Sequence, residues 1–189
     1  HKPDRRQRQM CIRDSPFERF NRKIHVFNET LDKWILKPVA KGYRWITPQF
    51  VDDGVSNFFD NLGEIRNLVN AGLQGDGKHM AVSTGRLLVN STVGVGGLFD
   101  VASHWSMQER DEDFGQTLAT WGVDSGPYIV LPFFGGRTLR DAFTMIPDAY
   151  LSPINYVDDT EVRIGLNVLN VIDVRADLID IEALVSGDR

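Results

Sequence analysis

The segment from about Asp159 to Leu184 reads as one long helix that is apolar on two faces. One stripe holds Val162, Leu166, Leu169, Ile172, Ala176 and Ile179. The other holds Ile164, Val168, Val171, Val174, Leu178, Ile181 and Val185. A helix of that kind is sandwiched within protein or touches lipid. No run reaches the ~18 apolar residues that a membrane-crossing helix needs. A helix lying within one leaflet remains compatible with that length. The 189 residues, 42% hydrophobic and 25% charged, fit one ordinary folded domain. Nothing recurs at a solenoid's period.

Other helices follow from apolar spacing. Phe17, Phe20, Ile24, Phe27, Leu31 and Trp34 fall at intervals of 3 and 4. Ser15 is the expected N-cap, with Glu18 completing a capping box and Pro38 marking the exit. Pro48 opens a second helix carrying Val51, Val55, Phe58 and Leu62. A short third is expected from about Glu64 to Gly72, and a fourth from about Lys78 to Thr92, broken by Gly94–Gly97. Asp111–Val123 reads as helix. Tyr128–Leu131 is apolar but too short to found a sheet. Thr138 caps a helix that Pro147 limits. The expected class is mainly α, with no alternation that would mark a parallel sheet.

Charge is unevenly spread within a net of −5. Residues 1–23 hold eight Lys/Arg against three acids, and residues 141–189 hold three Arg against ten acids. His1–Asp14 is read as a basic, disordered leader, and the acidic bulk argues against nucleic-acid binding. The single cysteine, Cys11, makes no internal disulfide.

Chemical motifs fall away on inspection. Gly72–Lys78 matches a phosphate loop, but His79 replaces the Ser/Thr that would bind magnesium and no strand precedes it. It reads as an interhelical turn, and a nucleotide-binding protein is the weakest alternative. Gly94-Val95-Gly96 lacks the third glycine of a dinucleotide loop. Asp111-Glu112-Asp113 reads as helix-start acids, without the His or Cys partners of a metal set. Neither catalytic residues nor a cofactor are expected. Asn21 and Asn28 lie seven apart beside the first apolar stripe, and Asn57 and Asn61 lie four apart beside Phe58 and Leu62. Such edges serve capping and packing, or else line a polar path through an apolar body.

Several ordered blocks then carry a resemblance. They are Ser15–Arg22 with Phe27-Asn28, Leu36–Arg44, Gly54–Leu62, Asn90–Asp100, Glu112–Leu118, Gly126–Pro132 and Arg140-Asp141. Together they resemble the MlaA (VacJ) family of outer-membrane phospholipid-transport lipoproteins, over residues 15–189. Ser15, Arg19, His25 and Ile65 depart from the family pattern. Members begin with a signal peptide and a lipidated cysteine. Cys11 is suitably placed for lipidation, but Arg8-Gln9-Met10 is not a lipobox, and a fragment truncated at both ends is expected.

The resemblance implies a single ring-like domain of helices seated in one leaflet, the inner leaflet of the outer membrane on its periplasmic face. It implies a channel that takes mislocalised phospholipid from the outer leaflet. A trimeric porin is the implied scaffold and a soluble periplasmic lipid carrier the acceptor. A porin-binding adaptor without a channel is the alternative. Asn21, Phe27, Asn28, Asn57, Phe58, Asn61 and Asp141 are the candidates for the lipid path. Trp34, Trp45, Trp105 and Tyr128 are the candidates for the membrane interface.

Overall fold

The computed structural model describes residues 16–186, so the expected leader, Cys11 and the Ser15 cap lie outside the described residues. Helix α1 (Glu18–Leu31) does not stop before Pro38. It passes through a π-helical turn (Asp32–Leu36) into α2 (Lys37–Ile46). Proline lacks an N–H and its ring crowds the carbonyl four residues back. Here the backbone widens instead: the Lys37 N–H donates to Asp32 O, five residues back, and the run continues.

The second and third expected helices are one helix, α3 (Gln49–Gln74). Only Gly63 stands between the two apolar stretches, and one glycine weakens a helix without ending it. Gly75 ends it, at φ +77, in the left-handed cap that glycine favours. Asp76 then caps α4 (Gly77–Thr92) by accepting from the His79 N–H at 3.0 Å. The phosphate-loop look-alike is thus a turn between helices. Helices α3 and α4 form an antiparallel pair. A tight turn over residues 93–99 leads to the short α5 (Val101–His104), capped by Asp100.

The expected Asp111–Val123 helix is shorter, α6 (Phe114–Thr120), capped by Asp113. Asp111 and Glu112 stay non-helical because the Glu112 N–H donates to Asn67 Oδ1 at 2.9 Å. Tyr128–Leu131 does found a sheet. This strand, β1, pairs antiparallel with β2 (Gly135–Thr138), and Tyr128 faces Thr138. Phe133 at φ +67 and Gly135 at φ +76 make the turn. Thr138 caps α7 (Leu139–Tyr150) as expected. Pro147 sits inside that helix rather than limiting it, where only its last turn remains. A 3₁₀ turn (Pro153–Tyr156) precedes α8 (Thr160–Ser186), the long helix foreseen at the chain's end.

The packing order closes on itself. Helix α1 packs on the hairpin, the hairpin on α7, α7 on α6, α6 on α3, α3 on α8, and α8 on α2, which continues back into α1. Among the described residues, no substantial packing joins α1 to α3 or to α8 across this ring. The fold is therefore a mainly helical single domain with ring-like connectivity.

Candidate functional site

Polar and apolar groups are distributed in reverse of a water-soluble domain. Among the described residues, buried polar or charged side chains outnumber buried apolar ones two to one. Four of the buried apolar residues are the alanines Ala40, Ala71, Ala102 and Ala176. Large apolar side chains lie outside instead: Trp45 is 88% exposed, Phe50 76% and Trp34 72%. On α8 the second apolar stripe faces outward, with Ile164, Val168, Val171, Val174 and Ile181 each more than half exposed. The same helix buries Asp173 and Arg175.

The polar interior begins as a stripe on α3. Asn57, Asn61, Glu64, Asn67, Asn70 and Gln74 recur at intervals of 3 and 4 and so share one face. From α4, Arg86 crosses to meet it, 2% exposed against Glu64 at 0%. All five of its N–H groups find acceptors. Nε donates to Glu64; one terminal nitrogen donates to Ser103 Oγ (3.0 Å) and Met107 O (2.7 Å). The other donates to Asp100 Oδ2 (3.3 Å) and Glu109 Oε2 (3.0 Å). This one guanidinium ties α3, α4 and the 100–109 strap together. Further along the stripe, Asn70 Oδ1 accepts from Thr117 Oγ1 at 2.8 Å, and Gln74 Nε2 donates to Glu112 Oε2 at 2.9 Å.

Burial and charge set the titration of this cluster. Burial first, and then the charge of Asp60, push the Glu109 carboxyl up to about 7, against the lowering pull of Arg86. Partial burial and the Asp111 charge push Asp60 up to about 6 although the residue keeps solvent access. Burial also raises Asp148 and Asp173. Asp100 goes the other way: burial opposes its charge, but hydrogen bonds from Ser103 and Asn90, with Arg86 nearby, outweigh it.

The expected site residues fall into three separate places. Asn21, Phe27, Asn28 and Tyr128 meet where α1 carries the hairpin. The Asn21 amide donates to Tyr128 O (3.0 Å) and accepts from Val130 N (2.8 Å). The Asn28 amide donates to Leu131 O and accepts from Phe133 N, both at 2.9 Å. Seven helical residues rise ~10.5 Å, and three strand residues span ~10 Å. The asparagine spacing thus matches the strand, and the two amides fasten β1 to the helix. With no exposed surface, Asn21 borders no open space, so packing is its role. Phe27 meets Phe133 edge-on at 5.6 Å.

The second place is α3. Asn57 donates to Leu98 O (3.2 Å), Asn61 to Ser91 Oγ (3.0 Å), and Phe58 packs on Phe59. The third is α7, where Asp141 accepts from Arg140 Nε at 3.0 Å. Of the interface candidates, Trp34, Trp45 and Trp105 (58% exposed) stand on the surface. Tyr128 does not: it is half-buried, its ring lying over Gly136.

Among the described residues no group of His, Cys, Asp and Glu could hold a metal, and no helix is long and apolar enough to cross a membrane. Sequence motifs do not reveal the network of Arg86 with Glu64, Asp100 and Glu109. The 3-and-4 spacing of Asn, Glu and Gln along α3 was its readable signal.

Comparison with known proteins agrees with this architecture. A protein of Rickettsia typhi is 39% identical over 161 residues, covering 85% of this chain and 64% of that protein. The chain thus spans just under two thirds of that relative's length. The intermembrane phospholipid transport system lipoprotein MlaA of Escherichia coli K12 is 38% identical over 177 residues, 92% of this chain and 70% of its own. A solved structure, reported as the structural basis for maintenance of bacterial outer membrane lipid asymmetry, superposes with a TM-score of 0.78 at 36% identity. It covers 93% of this chain and 90% of that one. The family model described as MlaA lipoprotein matches residues 13–189, and the chain belongs to that family.

Proposed function

We propose that this protein is a non-enzymatic phospholipid conduit. It sits in the inner leaflet of the Gram-negative outer membrane, on the periplasmic face. It takes mislocalised phospholipid from the outer leaflet and passes it to a soluble periplasmic carrier, with a trimeric porin as scaffold. The observation that carries this reading is the reversed distribution of polarity over a ring of packed helices. In hydrocarbon, polar groups must find partners inside the protein, and apolar side chains need no shelter. Helices there associate through small residues and shared hydrogen bonds instead of apolar burial. Buried alanines and the saturated Arg86 network have that character.

Transfer breaks no covalent bond, so the task is energetic. Bare extraction of an acyl chain costs ~0.8 kcal/mol per CH₂, on the order of 10 kcal/mol for a chain of ordinary length. A protein apolar outside and polar within offers each half of a lipid a matching surface. The path itself is proposed to pass Asn57, Phe58 and Asp141, whose side chains keep partial exposure; Asn21 and Asn28 support it by holding the hairpin.

The test is transfer of fluorescent phospholipid from reconstituted vesicles to an added periplasmic lipid carrier. Acceleration well above protein-free vesicles is expected. A rate equal to that background, with porin binding intact, would favour the adaptor and overturn the conduit.

A further inference from the structure

The helical run Glu18–Ile46 has a charge pattern that its composition hides. Two of its three acids are held by arginines. Glu18 accepts from Arg22 at 2.7 Å, Glu29 faces His25 at 3.4 Å, and Asp32 is held in a two-pronged pair by Arg175 from α8. Lys37 is likewise paired, with Glu182 at 2.9 Å. Arg44 is engaged too, reaching Ala176 O at 3.5 Å, and four cations remain. Arg19, Lys23 and Lys41 are exposed and have no acidic partner among the described residues, and exposed Lys33 sits only over the Trp34 ring, 5.8 Å from its centre. Beside them stand exposed Val26, Phe27, Trp34, Ile35, Val39, Trp45 and Ile46.

Geometry orients this run. It is ~40 Å long at 1.5 Å per residue, against ~15 Å for the hydrocarbon of one leaflet. With exposed apolar residues from Phe20 to Ile46, it cannot stand upright in a leaflet. It fits lying in the interface plane, where tryptophan rings and lysine tips settle at headgroup level.

We infer that this run is a binding face for anionic phospholipid headgroups, with Arg19, Lys23, Lys33 and Lys41 on the phosphates and Trp34 and Trp45 anchoring its depth. The inference rests on the seating proposed above but adds a lipid preference to it. A chain of net charge −5 would not draw anionic lipid by its overall field. The preference belongs to this face alone. It gathers anionic lipid against the protein, up to about fivefold for each engaged lysine.

The test uses tryptophan fluorescence in vesicles of equal phosphatidylglycerol and phosphatidylcholine, with one lipid brominated at a time. Brominated phosphatidylglycerol should quench severalfold more effectively. The Lys33→Glu/Lys41→Glu variant should bring the two lipids level, whereas Lys78→Glu, exposed on α4, should not. Trp34→Phe/Trp45→Phe should remove most of the difference. Equal quenching by both lipids in the parent protein overturns the headgroup preference and leaves the seating intact. A difference that survives Trp34→Phe/Trp45→Phe places the anionic lipid elsewhere and also overturns it. No quenching by either lipid sinks the seating itself.

Discussion

Replacing Arg86 by methionine should cost most of the stability of this fold. The substitution keeps much of the side chain's length and apolar stem, so it isolates the guanidinium. It strands Glu64, which has no exposed surface, and removes donors from Met107 O and Ser103 Oγ. Breaking a buried ion pair from one side costs ~3–5 kcal/mol, and each stranded neutral acceptor adds ~1 kcal/mol or more. Domains of this size hold ~5–15 kcal/mol in total. Urea unfolding in detergent micelles, followed by circular dichroism, measures the loss. The companion variant Glu64→Met/Arg86→Met removes both charges of the innermost pair and should recover a substantial part of it. Recovery stays incomplete because Asp100 and Glu109 keep their carboxylates. An Arg86→Met protein within ~1 kcal/mol of its parent would refute the view that satisfied polar contacts, rather than apolar burial, hold the interior together.

Glu109 gives a pH dependence. Its folded value, about 7, lies above the ordinary 4.5, so the folded state binds more protons between those values and stability falls as pH rises through that window; Glu109→Gln should flatten the slope in urea midpoints measured from pH 4.5 to 7.5. Asn28→Ala strips Leu131 O and Phe133 N of their partners, so hydrogen exchange of the hairpin amides should speed by roughly tenfold, at ~1–2 kcal/mol of local stability, while α4 amides stay protected. Gly94→Ala should destabilise strongly, since its new carbon would stand 2.3 Å from Phe99 O and 2.5 Å from Asn90 O, both backbone atoms; a melting point unchanged within 2 °C would contradict that packing.

What could be read beforehand depended on whether a residue's role was local. The Thr138 cap, the turn within Gly72–Lys78 and the helix that became α8 are written into local residue patterns and could be read there. Pro38 and Pro147 misled because a proline's effect depends on what the backbone around it can absorb, a π turn in one case and a helix already ending in the other. The strand at Tyr128–Leu131 was illegible for a different reason: its stability comes from Asn21 and Asn28, more than a hundred residues away. The polar stripe of α3 is the most instructive case. Asn57, Asn61, Glu64, Asn67, Asn70 and Gln74 would face water in a soluble protein, and the apolar stripes of α8 would face the core. Periodicity locates such faces but carries no sign, because the same helix serves either solvent. The sign emerges when Arg86, from another helix, spends all five donors inside while Trp34, Trp45 and Phe50 stand out in the open. A residue pattern of this kind fixes which faces differ; the medium around the protein decides which of them turns inward.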